Sequence, residues 1–517
     1  MFMIIFIISK YYLKNLSSAV RIRLIIQNLG GAFVKFGQML ALRSDLISSA
    51  LAYEFLNLLD RMPPIPKEEI RATVRQELGK EIEEIFLYFE FSPLATASFA
   101  QVHRAVTFTS EQVVVKVQRP EIIQILKSDF EILRFLARLI DFFGYKSPVR
   151  AKDMFNEFAK WTWRELDYLL EAKNAENLRI QQKYSLETKF PKIFWQYTTK
   201  KILVEEFIEG TNIKNLLLVN KLMESFDPKM VSHRLVENAM LEYFLCGRFH
   251  ADPHAGNIIV NGNSIGYVDF GIVGEGTLEQ RIAMANFVKN TVDKNYAKAI
   301  TAFLHLGLVE QFCRDLPYLL GDGKFTDLFI KGLDILKQII TKHFAKIVNL
   351  WHETIGKNGV PFSEKSAAKV FLKFLRIARI YRISLNPQIV IFIKTLIAVD
   401  AISLTLNPQF NLVQTIRQVF NQPQYVGLFS PESTEILNNR LAQLDKPVAK
   451  KDPDKTQKLK DYYKEWFFKL AEKHEREFRV AFKMEKEKIT NKKPTEINVG
   501  KEKLPNWIID IQQSLKH

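Results

Sequence analysis

FHADPHAGNIIVNGNSIGYVDFG, residues 249–271, decides how the rest of the chain is read. It holds a carboxylate at Asp252, an amide five residues later at Asn257, and a second carboxylate twelve further on at Asp269. Between the last two, IIV and IGYVDF flank NGNS, and this turn chemistry predicts a hairpin. A strand, a tight turn and a returning strand bring the chain back to the same end of the pair, which sets Asp269 beside Asn257. Asp and Asn also favour turns for their own sake, so solvated turn residues are the plain alternative. The strand that runs straight into Asp269-Phe270-Gly271 argues against it.

Such a set of oxygens suits transfer of a γ-phosphoryl group. One carboxylate serves the acceptor, and the other oxygens hold Mg²⁺ against the phosphates. The catalytic loop of kinases has this order: Asp-x-x-x-x-Asn, then a short hairpin ending in Asp-Phe-Gly. The chemistry also needs a strand lysine, and Lys116 sits in VVVKV with valines around it. Before it runs PLATASFAQVH, residues 93–103, where a glycine-rich loop would cover the phosphates. The candidate nucleotide-binding residues there are Leu94, Ala95, Thr96, Ala97, Ser98, Phe99, Ala100, Gln101 and Val102. Small residues let backbone N–H groups approach an anion, but alanine lacks glycine's access to positive φ, so this loop should be stiffer.

An acid must hold Lys116 toward the phosphates. WRELDYLLEAKNAEN offers Glu165, Asp167 and Glu171. Asp167 and Glu171 lie one helical turn apart and share a face while Glu165 points elsewhere, and the spacing leaves the choice open. VEEFIEG, residues 204–210, reads as a hinge with backbone groups near Glu206 and Phe207 open to an adenine ring.

At 517 residues the chain exceeds what one hydrophobic core serves, so two lobes with a cleft are expected. With 47% hydrophobic and 25% charged residues, most of it should fold. The net charge of +16 favours anionic partners such as nucleotides or phospholipid headgroups. No RNP-like motif or zinc-finger spacing accompanies that charge, which argues against nucleic acid. Cys246 and Cys313 lie far apart without a CxxC partner, so neither a disulfide framework nor a cysteine metal site is expected. His250 and His254 read as loop scaffolding.

Residues 15–90 look helical, and from Phe91 QVHRAVTF and QVVVKVQ read as a hairpin across TSE. Long helices are expected through SDFEILRFLARLIDFF and MFNEFAKWTWRELDYLLEAKNAENL, and again from about residue 275 to about 420. The opening MFMIIFII is too short to span a bilayer and reads as an interfacial anchor or a helix start. QIVIFIKTLIAVDAISLTL, residues 388–406, carries Lys394 and Asp400 and reads as a buried core helix. The charged tail has an aromatic stripe at Tyr463, Trp466, Phe467, Leu470, Phe478 and Phe482, read as packing on its own protein, with a membrane-surface helix as the rival.

With these motifs in order, from about residue 25 to about 410, the chain resembles the UbiB/ADCK group of atypical kinases. The group's Lys-x-Gly-Gln appears as Lys35-Phe36-Gly37-Gln38, its Glu-x-Asp as Glu165-Leu166-Asp167, and its alanine-rich loop as PLATASFAQVH. LLDRMPP, VKVQRP, FHADPHAGN and the Asp-Phe-Gly complete the set. The resemblance implies an α+β, two-lobed, protein-kinase-like fold that is mostly helical. An N-terminal helical extension over the cleft (1–90) would carry the Lys-x-Gly-Gln, followed by an N-lobe with a helical insertion (91–210), a C-lobe (211–420) and a charged helical tail (421–517).

It further implies ATP and Mg²⁺ as cofactors, kinase or ATPase activity, and a role in ubiquinone or other isoprenoid-lipid biosynthesis. Asp252 would be the catalytic aspartate, Asn257 and Asp269 the metal holders, Lys116 the phosphate lysine, and Lys35 with Gln38 a regulatory lid. Implied partners are an anionic membrane surface and quinone precursors or quinone-biosynthesis proteins, with a homodimer left open. The implied location is peripheral on the cytoplasmic face of a bacterial inner membrane, or in an organelle. The chain departs from relatives that end in hydrophobic spans, and no Ala-Pro-Glu follows the Asp-Phe-Gly. Two other readings stand beside this one: a small-molecule kinase of the aminoglycoside or choline type, and a nucleotide-binding scaffold without turnover.

Overall fold

A computed structural model describes residues 11, 16–41, 51, 54–55, 58, 64–97, 99–142, 151–180, 187–218, 226–308, 311–312, 315, 318, 323–381, 383, 385–433, 435–436 and 452–474. They form a mostly helical α+β protein. By contacts the chain divides into two units, Met1–Leu218 with Gly256–Val273, and Val219–Ala255 with Gly274–His517.

The first unit is built on an antiparallel sheet of β1 (Phe86–Phe89), β2 (Ala95–Thr96), β3 (Ala100–Thr107), β4 (Gln112–Gln118) and β6 (Ile202–Glu206), in the order β1-β3-β4-β6 with β2 pairing β3. The sheet starts at Phe86, before the change of texture expected at Phe91. The two-residue alternation of β4 decides what each face carries. Val113, Val115 and Val117 are buried against Ile202 and Val204 and against Ile70 and Val74 of a helix on that side. Cross-strand neighbours share a face, so the partnerships Val114↔Glu205 and Lys116↔Leu203 put Glu205 on the lysine's side of the sheet.

The longer described helices of this unit are α1 (Ser18–Leu29), α2 (Gly31–Ala41), α3 (Lys67–Leu78), α4 (Ile122–Phe142), α5 (Ala151–Glu165) and α6 (Tyr168–Arg179). Ala32 and Phe33 of α2 pack with Leu126 and Phe130 of α4 and Phe155 and Phe158 of α5. The helix expected to run unbroken through WRELDYLL is two helices. The Asp167 carboxylate accepts the backbone N–H groups of Leu169 and Leu170, so it caps α6 and stops propagation from α5.

A second sheet orders β5 (Thr188–Lys189), β10 (Ser264–Tyr267), β9 (Ile258–Asn261) and β7 (Thr211–Asn212). β9 and β10 are the expected hairpin, with Asn261 opposite Ser264 and Ile258 opposite Tyr267.

In the second unit, α7 (Pro228–Met240) runs into a π-helical turn, Leu241–Cys246, and Gly247 in a left-handed conformation (φ +78°) swings the chain into β8 (Arg248–His250). Gly274, in β11 (Val273–Glu275), lies flat on Phe249, where a Cβ would stand 2.2 Å from Cζ. The longer described helices that follow are α8 (Leu278–Val292), α9 (Tyr296–Leu306), α10 (Gly323–His352), α11 (Ala367–Ile380), α12 (Pro387–Leu406), α13 (Leu412–Phe420) and α14 (Pro453–Lys473).

α12 is the one described helix long and apolar enough to cross a membrane, with a mean hydropathy of 2.2, yet 61% of that window is buried inside the protein. Its inward side is tied to its neighbours. Asp400 accepts from Ser366 Oγ and Ala367 N, and Phe392 stacks on Tyr243 with ring centroids 3.7 Å apart. The tail helix α14 buries Tyr463, Trp466, Phe467 and Leu470, and the Trp466 indole donates to Tyr381 O at 3.0 Å. That stripe therefore belongs to the protein's own core and is closed to a bilayer. Phe478, Phe482 and MFMIIFII lie outside the described residues.

Candidate functional site

The first unit assembles the lysine and most of the acids. Lys116 Nζ contacts both oxygens of Glu171, at 2.7 and 3.0 Å, and stands 3.9 Å from Asp269 Oδ1. Its ammonium also lies 5.2 Å from the Tyr168 ring centroid. Burial works against the charged lysine, but the carboxylates of Asp269 and Glu171 outweigh it and hold the ammonium well above its ordinary pKa. Burial lifts the Glu171 carboxyl above its usual range, with Lys116 opposing.

The three candidate acids therefore do three different things. Glu171 grips Lys116, Asp167 caps α6, and Glu165, at the end of α5, pairs with Lys35. Only Glu171 meets the strand lysine as an ion-pair partner from this helical segment. Asp167 does not, because its carboxylate is spent on the N-cap.

Asn257 and Asp269 stand at the mouth of the β9–β10 hairpin, where Val268 N donates to Asn257 O at 3.0 Å. Asn257 is buried, and Asp269 has a half-exposed side chain. Asp269 has φ +65°, the left-handed region that costs an L residue energy and is tolerated best by Asp and Asn. Gly271 N caps its Oδ1 at 3.3 Å in an Asx turn. A strained backbone persists where its surroundings hold it, here aiming a carboxylate at the lysine. Among the described residues no cluster of three or more His, Cys, Asp or Glu is poised for a metal. The hairpin offers an amide and a carboxylate, both oxygen donors.

The alanine-rich stretch is a tight hairpin. Leu94 N donates to Val102 O at 2.8 Å and Ala97 N to Ala100 O at 2.9 Å. Leu94, Ala95, Thr96 and Ala97 keep surface exposure, whereas Phe99, Ala100 and Gln101 are buried. The Gln101 side chain is held internally: its Oε1 accepts Ile65 N at 2.6 Å and its amide nitrogen meets His103 Nε2. Ser98 lies outside the described residues. At the stretch read as a hinge, the N–H groups of Glu206 and Phe207 are already paired. Glu206 N is committed to Lys192 O and Phe207 N to Gln112 O, because the chain is still pairing in the sheet there.

Lys35 of α2 pairs with Glu165 and sets its ammonium 4.1 Å over the Phe99 ring. Gln38 donates to Leu58 O at 3.2 Å. Gly37 between them admits Leu58, whose Cδ1 would lie 2.5 Å from an added Cβ. The Lys-x-Gly-Gln segment is thus tied to the tip of the alanine-rich hairpin and to the Glu-x-Asp acid.

The second unit holds Asp252. Its N–H donates to His250 Nδ1 at 3.2 Å, and its carbonyl accepts His254 N at 2.8 Å. His250 N donates in turn to Glu242 Oε2 at 2.7 Å, and Asn238 donates to the other oxygen of that acid. Burial pushes the Glu242 carboxyl up to about 7, against those two hydrogen bonds. The histidines scaffold the loop. Sequence reasoning missed Lys394, whose Nζ lies 3.1 Å from Asp252 Oδ1. The signal in the sequence was a lysine among the apolar residues of that helix, one of its two charges, which needs a partner when it folds inward.

Sequence reasoning also missed Glu205. It is buried in β6, and among the described residues its Oε2 has no hydrogen-bond partner. Burial, with Glu171 and Asp269 adding repulsion against the pull of Lys116, lifts it to about 8. A carboxyl in such a setting is neutral at ordinary pH.

Residues 57–303 match the ABC1 atypical kinase-like domain, and residues 356–411 match the UbiB helical domain. The chain is 30% identical over 476 residues to a probable protein kinase UbiB of Pseudomonas fluorescens strain SBW25, covering 88% of this chain and 83% of that protein. It is 30% identical over 459 residues to the probable protein kinase UbiB of Pseudomonas aeruginosa strain LESB58, covering 85% and 80%. A solved complex of Rv3197 with erythromycin, from Mycobacterium tuberculosis, shares the fold at a TM-score of 0.50 and 20% identity, covering 76% of this chain and 88% of that one.

Proposed function

Because the chain belongs to the UbiB family of ABC1 atypical kinase-like proteins, we propose that it binds ATP with Mg²⁺ and acts as an atypical kinase or ATPase at a membrane, in ubiquinone or other isoprenoid-lipid biosynthesis. The observation that supports this best is the two-oxygen grip of Glu171 on Lys116, with Asp269 3.9 Å away on a left-handed backbone. An ammonium held this way is charged and fixed in direction, as a phosphate-binding lysine must be.

In this reading Lys116 meets the phosphates, Glu171 holds it in place, and the exposed small residues Ala95 to Ala97 cover them. Asn257 and Asp269 would hold Mg²⁺. Their oxygen-only donor set fits a hard cation, and the half-exposed carboxylate of Asp269 leaves room for one. When bound, the ion supplies neutralisation of charge on the phosphates. Asp252 orients the acceptor hydroxyl or water. Lys35 and Gln38 form the lid, and the tie from Lys35 to Glu165 and Phe99 supports that role. The net charge of +16 supports contact with an anionic membrane surface, with phenolic quinone precursors as the substrate class.

The test is ATP hydrolysis by the full chain, with and without Mg²⁺, anionic liposomes and a phenolic quinone-precursor mimic. The reading expects turnover that needs Mg²⁺, rises with liposomes and falls steeply, to a low residual rate, in Asp252→Asn. It is withdrawn if no condition gives Mg²⁺-dependent turnover.

A further inference from the structure

We propose that Lys394 of α12 is a positioning residue for the reaction, orienting the Asp252 carboxylate. The proposal rests on the reading of Asp252 as the residue that serves the phosphate acceptor.

Three observations within the second unit carry it. The first is the ion pair itself, Lys394 Nζ to Asp252 Oδ1 at 3.1 Å, across 142 residues of sequence. The second is how α12 meets the loop around it. Phe392 stacks on Tyr243 and meets Phe249 edge-on, Thr395 Oγ1 reaches His250 O at 3.5 Å, and Gln388 Oε1 accepts Glu275 N at 3.0 Å. Along two turns of helix, every one of these side chains touches the segment that carries Asp252 or the strand next to it. The third is that Lys394 and Asp400 are the two charged residues of α12, and the Asp400 carboxylate is taken up by Ser366 and Ala367, so Lys394 is the charge this helix presents to the loop.

Stability is a poor account of that charge. The two side chains are 33% and 38% exposed, and an ion pair so open to water contributes little to folding. The aromatic stack already fixes the helix against the loop. The loop's own hydrogen bonds use the backbone of Asp252, its N–H on His250 and its carbonyl on His254. The torsion of the carboxylate is set by its side-chain contacts, and the ammonium on Oδ1 supplies one from a rigid helix. Small displacements of a group that must meet a reacting atom cost up to about 100-fold in rate, so a contact of little worth to folding can be worth much to turnover.

The experiment compares ATP hydrolysis by the full-length wild type, Lys394→Met, Lys394→Arg, Asp252→Asn and the double variant Asp252→Asn/Lys394→Met. Melting temperature and ATP affinity are measured on each. Lys394→Met is expected to lower kcat about 10- to 100-fold with KM for ATP and melting temperature nearly unchanged. Lys394→Arg should restore most of the loss, and the double variant should be no slower than Asp252→Asn. Wild-type kcat in Lys394→Met while Asp252→Asn is far slower than the wild type would overturn the inference and leave the parent reading standing. A further loss in the double variant, by the same factor as in Lys394→Met alone, would also overturn it, since Lys394 would then act apart from Asp252. Wild-type kcat in Asp252→Asn would remove the parent reading and this inference with it. Should the Met variant unfold, Lys394→Arg decides: wild-type rate supports a positioning charge, and a rate as low as Asp252→Asn in a folded protein counts against it.

Discussion

Replacing Glu205 by Gln should remove a pH dependence that the wild-type protein carries in its first sheet. Glu205 of β6 lies on the face of the sheet that also carries Lys116 of β4, with Glu171 and Asp269 as the other charges that act on it. Burial lifts its carboxyl from the ordinary 4.5 to about 8. The folded protein therefore binds a proton there that the unfolded chain releases, and stability must fall as pH rises between those two values. Below about 4.5 both states are protonated and the cost is absent; above about 8 it is fully present.

Each pH unit in that window is worth about 1.4 kcal/mol, so the full span amounts to roughly 5 kcal/mol and the part from about pH 6 to about pH 8.5 to roughly 3 kcal/mol. Glutamine has the same shape as the protonated acid and does not titrate. Hydrogen exchange of peptides spanning β4 and β6, measured at about pH 6 and about pH 8.5, reads the local opening free energy. The wild type should lose roughly 3 kcal/mol more than Glu205→Gln between those conditions. ATP affinity should follow, weakening at the higher pH in the wild type alone as a third negative charge appears beside Lys116. Identical pH dependence in the two proteins would refute the reasoning.

Lys116→Met should abolish ATP binding and, by leaving Glu171 buried without its ammonium, cost ~3–5 kcal/mol of stability, read by chemical denaturation. The double variant Lys116→Met/Glu171→Met should recover that stability and still fail to bind. Gly274→Ala would drive a Cβ to 2.2 Å from Phe249 Cζ, and the strain should cost ~1–3 kcal/mol with a lower melting temperature. Trp466→Ala should destabilise the protein by ~3–5 kcal/mol while leaving sedimentation with anionic liposomes unchanged, since that indole is buried against Tyr381 rather than facing lipid.

The parts legible in the sequence were those set by short periods. The turn residues NGNS between two apolar stretches marked the hairpin that joins Asn257 to Asp269, and the valines around Lys116 marked its strand. What stayed hidden depends on partners. Asp167, Glu165 and Glu171 are alike in composition, and only the break at the Asp167 cap separates them into three different contacts. Lys394 looked like an interruption because its partner lies 142 residues away. Glu205 looked like an ordinary strand acid, and its burial is set by packing that no local pattern reports. The pairing of the Glu206 and Phe207 N–H groups was hidden for a related reason. An N–H is open to a ligand only where sheet pairing has ended, and pairing with Lys192 and Gln112 carries on through both.

Calorimetric titration of ATP into the full chain, with and without Mg²⁺, tests the account most directly when run on the wild type, Asp269→Asn and Lys116→Met. Tight binding that needs Mg²⁺ in the wild type, that loses its Mg²⁺ dependence in Asp269→Asn and that vanishes in Lys116→Met is the predicted result. Equal ATP affinity in all three proteins, whether or not Mg²⁺ is present, would contradict it.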